Sequence, residues 1–297
     1  MAFLQLRVLS AHPEFAEELL MACGALSVSL IDADDDPVLE PAPGETPLWS
    51  RTVALGLFDI EADIEHVRNM LREHLPEGDA LQLSTERVED QDWVRVWLKD
   101  CPPLKFGERL WVCPHEKQVN EPGCVTVLLD PGLAFGTGTH PSTALCLDWI
   151  ARNELRGFQV LDFGCGSGIL GIATLKLGAA HCTAVDIDPQ AIQATRDNAQ
   201  QNAVQDRLTA LGHDRVFEPF AADLVLGNIL ARPLIELAPL LLASLKPGGK
   251  IVLAGLLDRQ ADDVRAAYAA HIDFEDDQRR EGWTRLAGCK RADSSGK

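Results

Sequence analysis

Residues 160–171 read Val-Leu-Asp-Phe-Gly-Cys-Gly-Ser-Gly-Ile-Leu-Gly, and this run constrains the fold more than any other in the chain. It has the form of a buried β-strand, a glycine-rich turn and the first turn of a helix. Residues 184–188, Ala-Val-Asp-Ile-Asp, then have the form of the next strand, ending in an acid. A nucleotide-like ligand needs this arrangement. Glycines let the backbone come close, and an acid roughly 20 residues on can accept hydrogen bonds from ribose hydroxyls.

The spacing leaves the ligand open. Gly166, Gly168 and Gly171 satisfy the dinucleotide pattern G-x-G-x-x-G. A dinucleotide places its pyrophosphate at a helix N-terminus. S-adenosylmethionine has no phosphate and carries an ammonium and a sulfonium, so an acid beside the turn is useful to it. Asp162 ahead of the glycines, and the tighter run Gly164-x-Gly166-x-Gly168, favour that second ligand.

A chain of 297 residues is long for one core and suits two domains. No apolar run approaches a membrane span, and the N-terminus lacks a basic region followed by an apolar one, so the expected location is the cytoplasm, with no membrane partner. Eight cysteines are scattered without a C-x-x-C pair, which fits reduced thiols rather than disulfides or a metal site. Cys165, inside the glycine turn, reads as a small residue that fits there. The formal net charge of −18 repels nucleic-acid phosphate and suits a basic protein or an amine as substrate.

Taken in order, residues 3–9, 25–31, 52–60 and 81–88 have strand character, and residues 12–23 and 61–74 have helical spacing. The order β-α-β-β-α-β is the ferredoxin-like pattern. Residues 1–88 are therefore expected to form a small α+β recognition domain. Residues 89–104 carry Trp93 and Trp97 one helical turn apart and end at Pro102 and Pro103, as a helical linker would. Residues 105–297 are expected to form the main domain.

That domain opens with strands at 109–113 and 125–129. Residues 130–143 follow, with three glycines, two prolines and four hydroxyls, as an irregular loop suited to a cofactor lid or substrate gate. Pro141 to Thr143 then caps a helix to about residue 153. His140 is the only histidine of the loop, and the sequence leaves it as either a base or a packing or capping residue. Strands at 159–163, 183–186, 208–211, 224–230 and 251–255 alternate with helices at 168–177, 189–202, 234–245 and 260–271. The stretch 246–249, Lys-Pro-Gly-Gly, reads as a helix stop, and 274–278 with 283–287 reads as a closing antiparallel pair. This is an α/β doubly wound, mainly parallel sheet, whose ligands sit at the carboxyl ends of the strands. Gly164, Asp186 and Asn228 fall at three such ends.

The loop 130–143, the turn 162–168 and the stretch 227–231, Gly-Asn-Ile-Leu-Ala, together resemble the bacterial ribosomal-protein L-eleven methyltransferase family over nearly the whole chain. The turn belongs to class I methyltransferases in general, and the loop is the family-specific part. Ser142 departs from the threonine of the family pattern and keeps its hydroxyl. The resemblance implies methyl transfer from S-adenosyl-L-methionine to large-subunit ribosomal protein eleven, a basic protein. The targets it implies are the N-terminal α-amine and lysine ε-amines, taken to the trimethyl state. The protein is expected to be a monomer, and its charge argues against direct contact with nucleic acid. It carries cofactor contacts over to Thr143, Gly164, Asp186 and Asn228, to which the residues add Gly166 and a covering Phe135. Asn228 is also the catalytic candidate, orienting the incoming amine through its amide oxygen. The core alone does not fix the acceptor, so a methyltransferase for another protein or a small molecule is the alternative. A dinucleotide-dependent oxidoreductase or a non-catalytic binding module stands behind it. Asn228-Ile229-Leu230 lacks the Asn-Pro-Pro-aromatic sequence used for glutamine or base nitrogens.

Overall fold

The computed structural model describes residues 2–34, 49, 51–76, 81–89, 102–129, 138–212 and 219–292. The expected linker helix with Trp93 and Trp97, the first part of the loop with Phe135, and most of the acidic stretch after Asp32 lie outside the described residues. The chain divides into two compact units, residues 1–92 and 93–297.

The first unit runs β1 (Ala2–Leu9), α1 (Pro13–Ala22), β2 (Ser27–Asp32), β3 (Thr52–Asp59), α2 (Ile64–His74) and β4 (Gln82–Glu89). Its sheet has the order β2-β3-β1-β4 and is antiparallel throughout. Alternation along β1 buries Leu6 and Val8 against Ala16 and Leu20 of α1 and Val67 and Leu71 of α2. Each leucine so buried contributes roughly 2 kcal/mol of transfer free energy. α2 starts three residues later than the apolar spacing predicts. Asp59 folds residues 61 and 62 into a turn by accepting from their amides, and Asp63 caps the helix by accepting from the His66 N–H at 3.0 Å.

The second unit begins with a small sheet, β5 (Leu104–Phe106), β6 (Leu110–Cys113) and β7 (Val125–Leu128), in which β6 and β7 pair in parallel. β5 is only three residues long, between Pro103 and Gly107, and carries no readable periodicity. The main elements follow as α3 (Pro141–Arg152), β8 (Gln159–Phe163), α4 (Ile169–Lys176), β9 (His181–Asp186), α5 (Pro189–Gln201), β10 (Leu208–Gly212) and β11 (Ala222–Asn228). Then come α6 (Ala231–Glu236), α7 (Ala238–Ala243), β12 (Leu245–Leu257), α8 (Ala261–Tyr268), β13 (Ile272–Phe274), β14 (Gln278–Arg280) and β15 (Trp283–Lys290). The sheet order is β10-β9-β8-β11-β12-β15-β13, with β14 also on β15. The first five strands are parallel, and β15 enters antiparallel. The strand order reverses between β8 and β11, which opens a crevice at their carboxyl ends.

Two expectations fail here. The single helix over 234–245 is two short helices, because Pro239 has no N–H to carry the ladder back to Ile235. The Lys246 to Gly249 stretch is not a helix stop but the irregular start of β12, paired at Leu245 with Ala222 and back in regular register with β11 from Lys250. A 2.6 Å ion pair from Lys246 to Asp223 closes that irregularity. Strand β11 likewise ends at Asn228, so Ile229 and Leu230 lie beyond the sheet.

Candidate active site

The glycine turn is held from both sides. The Gly164 and Cys165 amides both donate to the Val185 carbonyl, at 2.8 and 3.1 Å, and the Gly168 amide donates to the Cys165 carbonyl. Gly164 has φ +73°, and a Cβ on it would lie 2.1 Å from Ile229 Cγ2, so the position admits no side chain. Its small size serves the packing of Ile229 as well as any ligand.

Asp162 does not line the crevice. It is 1% exposed, beneath the turn, and its Oδ2 accepts from the Gly171 N–H at 2.9 Å. Burial pushes its carboxyl up to about 7, with the Gly171 bond opposing and the Asp186 charge adding. Asp162 is therefore not placed to face a cationic ligand. The raised carboxyl has a consequence for stability. The native state holds a proton that the unfolded chain, with an ordinary carboxyl near about 3.9, has released. Stability is thus lost as pH rises from about 4 to about 7 and levels off above. Asp162→Asn keeps an oxygen for Gly171 and cannot ionise. Urea unfolding is expected to find it equal to the parent near pH 4 and ~4 kcal/mol more stable at pH 8; a pH-independent difference would overturn this assignment.

Asp186 ends β9. Its Oδ2 accepts from the Gly166 N–H at 2.9 Å and its Oδ1 from the Asp188 N–H at 3.0 Å. Carboxylate oxygens have two lone pairs each, so both retain acceptor capacity for hydroxyls. Two residues of α5 complete the turn and were not singled out in the sequence. Thr195 Oγ1 donates to the Gly166 carbonyl at 3.0 Å, and Asn198 Nδ2 donates to the Ser167 carbonyl at 2.8 Å. Their signal is polarity on the buried face of an amphipathic helix. Cys165 is buried against Thr195, and burial raises its thiol pKa, which fits an inert packing residue.

The third strand end joins the start of α3. Asn228 Nδ2 donates to Thr143 Oγ1 at 3.1 Å, while Asn228 Oδ1 is buried and has no hydrogen-bond partner among the described residues. His140, rather than Pro141 to Thr143, caps the helix: its Nδ1 accepts from the Ser142 amide at 3.3 Å and lies 2.8 Å from the Ser142 hydroxyl. Its ring meets Trp283 edge-on at 4.6 Å, and burial lowers its pKa against a weaker opposing effect of Glu281. His140, Ser142, Asn228, Ile229, Leu230, Gly255 and Trp283 line a cavity of about 370 Å³. Trp283 was not foreseen, since nothing local marks a tryptophan 55 residues after Asn228 as its neighbour. Thr143, Gly164, Gly166, Asp186 and Asn228 thus cluster at one end of the sheet, and Phe135 lies outside the described residues.

Residues 2–291 match the family described as Ribosomal protein L11 methyltransferase (PrmA). The chain belongs to this family. It is an S-adenosylmethionine-dependent protein methyltransferase with a class I methyltransferase fold. Ribosomal protein L11 methyltransferases of Chromohalobacter salexigens and Shewanella amazonensis are 50% and 47% identical to it. The matches span 97% and 98% of this chain and 99% and 100% of theirs. A crystal structure of ribosomal protein L11 methylase from Lactobacillus delbrueckii subsp. bulgaricus is 29% identical, with a TM-score of 0.58. That match covers 64% of this chain and 98% of the other. The residues suit the cofactor: Asp186 offers acceptors to ribose hydroxyls, and Asn228 keeps a buried carbonyl oxygen unsatisfied. Among the described residues no helix is long and apolar enough to cross a membrane.

Proposed function

We propose that this enzyme methylates ribosomal protein L11 on its N-terminal α-amine and on lysine ε-amines, to the trimethyl state. The observation that carries the reading is the buried, unpartnered Oδ1 of Asn228 at the end of β11. A buried acceptor without a donor is costly, and an amine N–H entering the cavity would satisfy it. The Nδ2 bond to Thr143 fixes the amide so that the oxygen remains the acceptor. Asp186 would hold the ribose, the backbone at Gly164 and Gly166 would lie against the cofactor, the Thr143 hydroxyl would meet the methionine end, and Phe135 would cover it.

S-adenosylmethionine supplies an electrophilic methyl group on a sulfonium. The amine must be neutral to attack. Free lysine and α-amines have pKa values near about 10.4 and 8, and a neighbouring sulfonium lowers both. Asn228 would orient the nitrogen lone pair in line with the methyl group, and positioning of this kind supplies most of the barrier reduction. His140, capping α3, is left as a structural residue. The first unit would hold the substrate, whose basic surface is drawn to a chain of net charge −18. The enzyme would act as a cytoplasmic monomer without direct contact to nucleic acid or membrane.

Intact-mass spectrometry of purified ribosomal protein L11, incubated with enzyme and S-adenosylmethionine, tests this. Gains in steps of one methylene, reaching several methyl groups, are expected, with much slower gain for Asn228→Ala at saturating cofactor. No gain while the cofactor still binds would move the acceptor to another protein or a small molecule.

A further inference from the structure

The C-terminal half of α3 and the β14–β15 hairpin line a second cavity, of about 400 Å³, that shares no residue with the one at Asn228. Arg152, Arg279, Arg280 and Arg285 line it, against two carboxylates, Asp148 and Glu275. A local excess of cations is unexpected in a chain whose net charge is −18.

Arg285 sets the chemistry. It is 6% exposed, and among the described residues its Nε has no hydrogen-bond partner and its side chain forms no ion pair. Burial depresses its pKa and Arg152 adds to this, with Cys146, Glu275 and Asp148 opposing. A guanidinium taken out of water without a bonded partner is costly. The two nearby carboxylates each have another partner. Glu275 Oε2 accepts from Trp149 Nε1 at 3.3 Å, Asp148 Oδ1 accepts from the Gly107 N–H at 3.3 Å, and Asp148 Oδ2 lies 3.7 Å from Arg280. Both favour the charge on Arg285, but among the described residues neither pairs with it directly, and an oxyanion with several acceptor oxygens would.

Guanidinium forks match phosphate geometry, and ligand cavities of roughly 300–1,000 Å³ hold small organic molecules. We propose that this cavity binds a small phosphorylated ligand, with the phosphate on Arg285 and with Arg279 and Arg280 closing over it. A polynucleotide is disfavoured because a chain of net charge −18 repels an extended polyanion, whereas a single phosphate answers to the local cations. The proposal is independent of which protein the enzyme methylates.

Titration calorimetry of the full chain with inorganic phosphate, at constant ionic strength in chloride, tests it. Saturable one-to-one binding is expected, weakened about tenfold or more in Arg285→Gln, where charge-assisted bonds are lost. Arg280→Ser, at an exposed position, should weaken it severalfold and leave folding intact. Asp148→Asn should strengthen it by removing a repelling carboxylate, and Arg232→Ser, on α6, should leave it unchanged. Absence of saturable binding, or equal affinity across all variants, would overturn the proposal. Tighter binding of an RNA decamer than of phosphate, with the same arginine dependence, would overturn the choice of a small ligand.

Discussion

Replacing Asp186 by alanine is expected to weaken binding of S-adenosylhomocysteine about a hundredfold, with the fold retained and the midpoint of thermal unfolding lowered. Two contributions vanish together. The carboxylate holds the Gly166 and Asp188 amides at 2.9 and 3.0 Å and so shapes the turn. Its remaining lone pairs are the proposed acceptors for the ribose hydroxyls. Hydrogen bonds to a charged group are worth about 1.5–3 kcal/mol each, and one or two of them amount to the expected loss. Asp186→Asn keeps one acceptor oxygen and should fall between, near tenfold. Calorimetry that found the alanine variant at full affinity would place the ribose elsewhere.

Gly164→Ala is expected to cost roughly 3 kcal/mol of unfolding free energy and to abolish methylation. The backbone there has φ +73°, which an L side chain adopts at a cost of about 1–2 kcal/mol. The new methyl group would also lie 2.1 Å from Ile229 Cγ2, far inside contact distance, and would displace the residue next to Asn228. The double variant Gly164→Ala, Ile229→Ala separates the two costs. It removes the collision and keeps the unfavourable dihedral, so it should recover part of the stability in denaturant titrations. Equal stability of the single variant and the parent would show that the turn relaxes freely.

These positions differ in how far the sequence alone reveals them. The glycine turn and the acid ending β9 are legible because both are local. Gly164 and Gly168 have positive φ, and the alternation of strands with helices repeats often enough to fix the sheet class. What is not legible depends on neighbours remote in sequence. Asp162 has the same local signature whether it lines a crevice or lies beneath one, and only Gly171 and the covering helix decide for burial. His140 and Trp283 form one contact across 143 residues of chain, so neither could be assigned from its own surroundings. The split of the expected helix at Pro239 was written in the sequence, since proline interrupts a ladder wherever it falls beyond the first turn, and there the apolar spacing of the leucines masked the stronger local signal.

The bond from Asn228 to Thr143 spans 85 residues, and Gly255 and Trp283 add walls from further on. A ribosome delivers Thr143 first and Trp283 last. Once residue 168 has been added, the growing polypeptide possesses the glycine turn but not the chamber beside it until Trp283 follows. A product that terminates early, even one long enough to form β8 and β9, is therefore without the compartment in which Asn228 sits. Completion of this enclosure is a property of the finished chain, and a prematurely released fragment has no enclosed pocket in which to hold an acceptor nitrogen.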